Sequence, residues 1–319
     1  MLKLFDARLN VMKSRSRKII ELLGLGLLAL GVYSGRSVLA ASWQTVKTAQ
    51  GWPLLVCFGL AWTDYLWSAL GYKILVGRGV RLYYICLAHL AAGGPGRVIP
   101  GGAGHVSFGT IFLQKQGLKL PRALAISLTN NFIGFAVNIS VLLVIFASHP
   151  ANLNRLHVSA RNLVLVASVL AAAAAIFLVM RRRSARFKKG STQTSREFRR
   201  IAQRITSRPL LGLLLICTML ATITTNTLVL FFAARSIHMP LSVIDAFIAM
   251  STGAALGSLV PTPGGIGGVE AGITAGLYTL GYNLEMATSA ALLFRAATYL
   301  QPFLPGIASY LWLRRKKLL

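Results

Sequence analysis

Only seven of the 319 residues are acidic, charged residues of all kinds make up 13 %, and there are three cysteines. So little charge excludes an ordinary soluble enzyme and a disordered tail, both of which need far more polar surface. Cys57, Cys86 and Cys217 each lie inside an apolar run, form no CxxC pair and are odd in number. They indicate neither a disulfide framework nor a zinc site and read as small buried filler. Nucleotide and catalytic signatures are lacking too. Gly102-Ala103-Gly104 and Gly265-Ile266-Gly267 fail to complete GxGxxG because Ser107 and Glu270 hold the last position, and there is no Walker Gly-Lys-Ser/Thr. His105-Val106-Ser107-Phe108-Gly109 lacks the first glycine of a nucleophile elbow, and no HExxH or paired acidic motif occurs, so no enzyme, cofactor or metal is expected.

What is present is apolar: 55 % of the residues are hydrophobic and the mean hydropathy is +0.64. Most of the chain must sit in lipid, where a crossing helix needs about 20 apolar residues. Six segments meet or approach that length: Ile19–Tyr33, Trp52–Val76, Ala123–Ser148, Asn162–Met180, Pro209–Ala233 and Ala287–Leu313. A signal-peptide reading of the first is disfavoured because Arg36 interrupts it before Val38-Leu39-Ala40. Two further regions, Leu82–Gln116 and Leu241–Gly281, are apolar but broken by Gly and Pro. Each reads as a pair of short helices that enters and leaves by one side, and such backbone is tolerated at depth only where protein or a wet cavity covers it.

The 34 Lys and Arg test this layout, because cytoplasmic loops carry the excess of basic residues. With the N-terminus in the cytoplasm and both broken regions returning to their own side, 27 fall on the cytoplasmic face, five outside, and Arg97 and Arg295 at depth. The fold expected is an all-α polytopic membrane protein with six crossings and two re-entrant hairpins. It forms one domain over 1–319: a basic cytoplasmic N-terminus (1–18), one repeat (82–148), a basic cytoplasmic loop (181–208) and a second repeat (241–313). The excess of basic charge does not imply nucleic acid, since no aromatic interleaving builds a stacking platform. In the basic loop Phe198, Ile201, Ala202 and Ile205 share one helical face opposite Arg199, Arg200 and Arg204, as in an interfacial helix touching anionic headgroups. Leu39, Trp43 and Val46 repeat this signal weakly on the outer side.

The repeat is read from Pro100-Gly101-Gly102-Ala103-Gly104-His105-Val106 and Pro263-Gly264-Gly265-Ile266-Gly267-Gly268-Val269, which share P-G-G-x-G-x-V at an offset of 163. With one inserted residue, Gly117 meets Gly281, Ala123 meets Ala287 and Asn131 meets Arg295. Three crossings separate the breaks, so the repeats would be inverted, as in many secondary transporters whose discontinuous helices meet near the midplane. Short helices are predicted at about His105–Gln114 and Val269–Leu280; their N-terminal N–H groups would attract an anion such as a phosphate. The alternative is that the glycines only let helices pack closely.

Ionisable residues at membrane depth are costly and so mark function. Here they are Asp64, Arg97, Glu270 and Arg295, with Asp245 nearer the outer interface. Structural ion pairs and a free Arg that grips a lipid phosphate are both consistent with this set. Polar stripes (Asn131 with Asn138; Thr218, Thr222, Thr225 and Asn226) fit a site or interhelix hydrogen bonding equally well.

Gly96-Arg97-Val98-Ile99-Pro100-Gly101, the second stretch from Pro261 to Ala271, and Leu292-Leu293-Phe294-Arg295 together resemble the membrane domain of lysylphosphatidylglycerol synthases and its standalone flippase-like relatives. The resemblance implies a domain that moves a lipid between leaflets, in the synthases an aminoacylated phosphatidylglycerol; standalone relatives are linked to hopanoid and polyprenyl pathways. It carries over to Arg97, Pro100, Gly101, Pro263, Gly264, Gly265, Glu270 and Arg295. Because the chain ends at Lys317-Leu318-Leu319 directly after its last span, it is expected to make no lysyl lipid itself. The expected substrate site comprises Arg97, Pro100, Gly101, Gly102, Gly104, Pro263, Gly264, Gly265, Gly267, Glu270, Arg295, Asp64 and Asn131. Its partners would be membrane lipids with anionic or zwitterionic headgroups and separate lipid-modifying enzymes, in a bacterial or archaeal inner membrane with both termini cytoplasmic. A channel or small-solute transporter, and a non-transporting scaffold of lipid or polysaccharide synthesis, are the alternative functions. Cysteines introduced at Asn154 and Ser191 should label with impermeant reagent from opposite faces of the membrane; labelling from one face would discard this layout.

Overall fold

The computed structural model of the chain describes residues 43–49, 51–77, 79–98, 103–148, 185–259, 262 and 264–319. The spans expected at 19–33 and 162–180 lie outside the described residues, as do Pro100, Gly101, Gly102 and Pro263. Among the described residues all regular structure is helical: α1 (Gly51–Val76), α2 (Leu82–Gly93), a 3-10 turn (Pro95–Val98), α3 (Ala103–Lys115), α4 (Leu120–Ser148), α5 (Ala185–Thr206), α6 (Pro209–Ser236), α7 (Val243–Leu259), α8 (Gly268–Thr279), α9 (Leu284–Arg295), a π turn (Ala296–Leu300) and α10 (Phe303–Arg315).

Three of these helices, α1, α4 and α6, are long and apolar enough to cross a membrane. At 26 to 29 residues they extend about 40 Å, more than the roughly 30 Å of hydrocarbon. The expected last span, Ala287–Leu313, is not one straight helix. Pro302 and Pro305 cannot donate to the preceding turn, and the chain widens into the π turn, where the Gln301 N–H reaches back to the Ala296 carbonyl at 2.9 Å, before resuming as α10.

Helices α1 and α6 form the central wall and run antiparallel. Moving up α1, Trp52 meets Phe232, Thr63 meets Thr225 at 3.4 Å, and Gly71 meets Thr218 and Met219. Two apolar clusters divide along this wall. One joins the first half of α1 (Cys57, Ala61) and the second half of α6 (Val229, Leu230) to Leu241, Ala246, Ile273, Leu277 and Ala287 of α7–α9 and the approach to them. The other joins the second half of α1 (Tyr72, Leu75) and the first half of α6 (Leu215, Met219) to Ile85, Ala88, Phe112, Leu113 and Ala123 of α2–α4. The helix pairs α2/α3 and α7/α8 are therefore based at opposite ends of the molecule.

Charge follows the same division. Lys73, Arg81, Lys115, Lys119, Arg122, Arg204, Arg208, Arg314 and Arg315 lie at helix termini of the second cluster's end, whereas Lys47 and Arg235 lie at the other. Arg204 closes the C-terminus of α1, donating from Nη1 to the Leu75 carbonyl at 3.3 Å. Tyr83, Tyr84 and Trp312 cluster at the basic end, Tyr84 stacked on Trp312 and Tyr83 edge-on to it, as an interfacial aromatic group does.

The α7/α8 pair is an antiparallel hairpin held by small residues. Gly257 lies against Val269, Gly253 against Ile273 and Gly272, and Gly276 against Ala249. Its mouth is tied by the Tyr282 hydroxyl, which donates to Asp245 Oδ2 at 2.7 Å. Asp245 is thus buried at the hairpin base, in the first turn of α7. The caps of α3 and α8 coincide. Gly117 and Gly281 both have positive φ; Leu118 N–H bonds the Leu113 carbonyl and Tyr282 N–H the Leu277 carbonyl, each at 3.1 Å and 164 positions apart. The next helices, α4 and α9, start at Leu120 and Leu284, again 164 apart.

Helix α10 crosses α2 backbone to backbone. A Cβ on Gly94 would fall 2.7 Å from the Gly306 carbonyl carbon, and one on Gly306 would fall 2.6 Å from the Leu90 carbonyl oxygen. Gly306→Ala should therefore cost about 1–3 kcal/mol, read as a lower unfolding temperature in detergent. Gly59→Ala, with nothing within 4 Å, should be neutral or stabilising.

Candidate functional site

Where the two clusters meet, the wall turns polar. Asp64 is the midpoint of α1, 13 residues from Gly51 and 12 from Val76, so it lies about 18–20 Å from either helix end. Its Oδ1 accepts from Asn226 Nδ2 at 3.0 Å, and the same Nδ2 also donates to the Thr222 carbonyl at 3.0 Å, which fixes the amide. A cavity of about 330 Å³ opens here, lined by Asp64, Tyr65, His105, Asn226, Arg295 and Thr298, with apolar wall from Met250, Ala254, Val269 and Ile273. His105 comes from the first turn of α3 and Val269 from the first turn of α8. One void is therefore bordered by residues from both glycine-rich breaks.

Glycine sets the local geometry at each break. Gly104 packs against the Gly96 carbonyl so closely that no side chain fits, which draws α3 onto the 3-10 turn carrying Arg97. At the second break Gly264, Gly265 and Gly267 have φ of 63°, 66° and 83°, a left-handed run open to glycine alone without strain. Tyr299 fills the space against Gly264.

Arg295 holds that turn. Its Nε donates to Glu270 Oε1 at 2.8 Å, its Nη2 donates to the Gly264 carbonyl at 3.0 Å, and its guanidinium lies over the Tyr299 ring at 4.5 Å. Glu270 Oε2 in turn accepts from the Gly267 N–H at 2.8 Å. The expectation of an open N-terminus on the second short helix is thus corrected. The anion at that dipole end is the chain's own Glu270, and the Gly268 and Val269 N–H groups bond the Gly265 carbonyl. The pair is mostly shielded, with side-chain exposures of 13 % and 22 %, so it forms a closed unit of hairpin tip, carboxylate, guanidinium and ring.

Of the residues anticipated from the sequence, the structure brings Asp64 and Arg295 to one cavity and ties Glu270, Gly264 and Gly267 to Arg295. Gly104 lies beside His105 at its edge, and Arg97 has its backbone in the turn before α3. Asn131 is elsewhere: it is exposed on α4 and does not line the cavity. Asn226 enters the site from a stripe that sequence alone leaves ambiguous, and His105 enters as a wall residue. Tyr65, Thr298 and Tyr299 are further additions. The last two could have been found, because they follow Arg295 by three and four positions and so share its helical face. Among the described residues no cluster of His, Cys, Asp and Glu could hold a metal ion.

The family described as lysylphosphatidylglycerol synthase TM region has a sequence model that matches residues 19–306, nine-tenths of the chain, and the chain belongs to that family. No curated protein matches it.

Removing one partner of the shielded Glu270–Arg295 pair should cost about 3 kcal/mol, because the other charge is left uncompensated. Unfolding of Glu270→Gln, Arg295→Gln and the double variant in detergent should show the double variant well short of the sum of the two single losses.

Proposed function

We propose that this member of the lysylphosphatidylglycerol synthase TM region family translocates a polar-headed lipid between leaflets, using the cavity at Asp64 and Arg295 as its headgroup site. The observation that carries the reading is a polar void at the midpoint of a membrane-crossing helix, bordered by two helix pairs based at opposite ends of the molecule. On this reading α2/α3 and α7/α8 are re-entrant hairpins of an inverted repeat, and the matching caps of α3 and α8 are its imprint. The basic end faces the cytoplasm of a bacterial or archaeal inner membrane, and both termini lie on that side. The chain has no catalytic role of its own and serves separate lipid-modifying enzymes.

The cavity is large enough for a phospholipid headgroup and too small for two acyl chains, so the tails stay in the bilayer while the head passes the midplane. Asp64 with Asn226, and Arg295 with Glu270, supply both signs of charge, which suits a zwitterionic head better than a neutral or a purely anionic one. A cavity of this size also fits a small solute outright, which favours small-solute transport as the second reading.

Reconstitution into liposomes with labelled phospholipids tests the choice. Leaflet exchange should appear with the native chain, and Asp64→Asn should slow it at least about tenfold, the loss expected for one hydrogen-bonded charge. Solute flux without lipid exchange would select the second reading, and neither activity would remove both.

A further inference from the structure

A second void lies apart from the central cavity and shares no lining residue with it. It is a groove of about 460 Å³ between α4 and α5, walled by Phe132 and Ile133 on one side and Phe198, Ala202 and Ile205 on the other, with Arg199 at its rim. Two observations bear on what fills it. First, α5 is strongly two-faced: Phe198, Ile201 and Ile205 pack into the apolar cluster at the basic end, and arginines occupy the other face. Second, those arginines are differently employed. Arg200 is engaged by Glu197 and Arg204 by the Leu75 carbonyl, whereas Arg199 stands exposed beside the groove.

We infer that this groove is a binding site for an anionic phospholipid of the leaflet at the basic end. One acyl chain lies between α4 and α5, and the phosphate rests on Arg199. The walls match an alkyl chain and the rim cation matches a phosphate. The site does not depend on the translocation reading, because the central cavity contributes nothing to it.

The test places the photoreactive residue p-benzoylphenylalanine at Phe132 of the full chain, in nanodiscs that mix phosphatidylglycerol with phosphatidylcholine, and identifies cross-linked species by mass spectrometry. Phosphatidylglycerol should be captured in preference to phosphatidylcholine. Arg199→Gln should lower its capture about fivefold, the effect of one surface cation on an anionic headgroup, while Arg199→Lys keeps most of it. Asp64→Asn should leave capture unchanged, which separates this site from the central one. Equal capture of the two lipids, no response to Arg199→Gln, or cross-linking to residues 162–180 of the same chain would each overturn the assignment.

Discussion

Helices in lipid gain little by hiding apolar surface from one another, so their association rests on close contact and on polar groups that find partners inside. In this chain that contact is made by residues with almost no side chain. Gly94 meets Gly306, Gly104 meets Gly96, and Gly253, Gly257, Gly272 and Gly276 let α7 and α8 touch along their length. The short helices can reach the middle of the molecule only because these approaches bring them against the α1–α6 wall.

The same crowding explains where polar groups stand. Asp64 and Asn226 face each other across the wall at mid-height, and Arg295 reaches from α9 to the glycine turn of the opposite element. Each charge meets an oriented donor or acceptor, so the polar wall of the cavity is held in one arrangement by the chain itself. Arg295 has three tasks at once: it balances Glu270, holds the Gly264 carbonyl and rests on Tyr299. Its guanidinium is thereby placed at the cavity wall with little freedom to leave it.

Much of this was legible in the residue pattern, because the signals were local. The two Gly-Pro breaks, the short helices after them and the apolar lengths of α1, α4 and α6 follow from composition and spacing. The offset of 164 seen between Gly117 and Gly281 reappears as matching cap hydrogen bonds. What was not legible depended on partners distant in sequence. Nothing near Gly306 says that it meets Gly94, and nothing near Asn226 says that its amide meets Asp64 rather than another helix. Asn131 illustrates the converse. It aligns with Arg295 in the repeat, but α4 turns it outward, away from the cavity. Glu270 reads from sequence as one candidate partner for an arginine beside an open helix end; it does pair with Arg295, and three positions of helical spacing let it also close that end itself.

The π turn at Ala296–Leu300 has a mechanical meaning. Helix α9 before it packs with the α7/α8 pair, and α10 after it packs with α2, so one stretch of chain is fastened to both halves of the molecule. A wide turn has a spare residue that can be taken up or released as the helix rewinds. Ala296–Leu300 is therefore the joint between two packed halves of the molecule. Arg295 and Thr298 lie at that joint, so one wall of the cavity is built on the very stretch that binds the halves together.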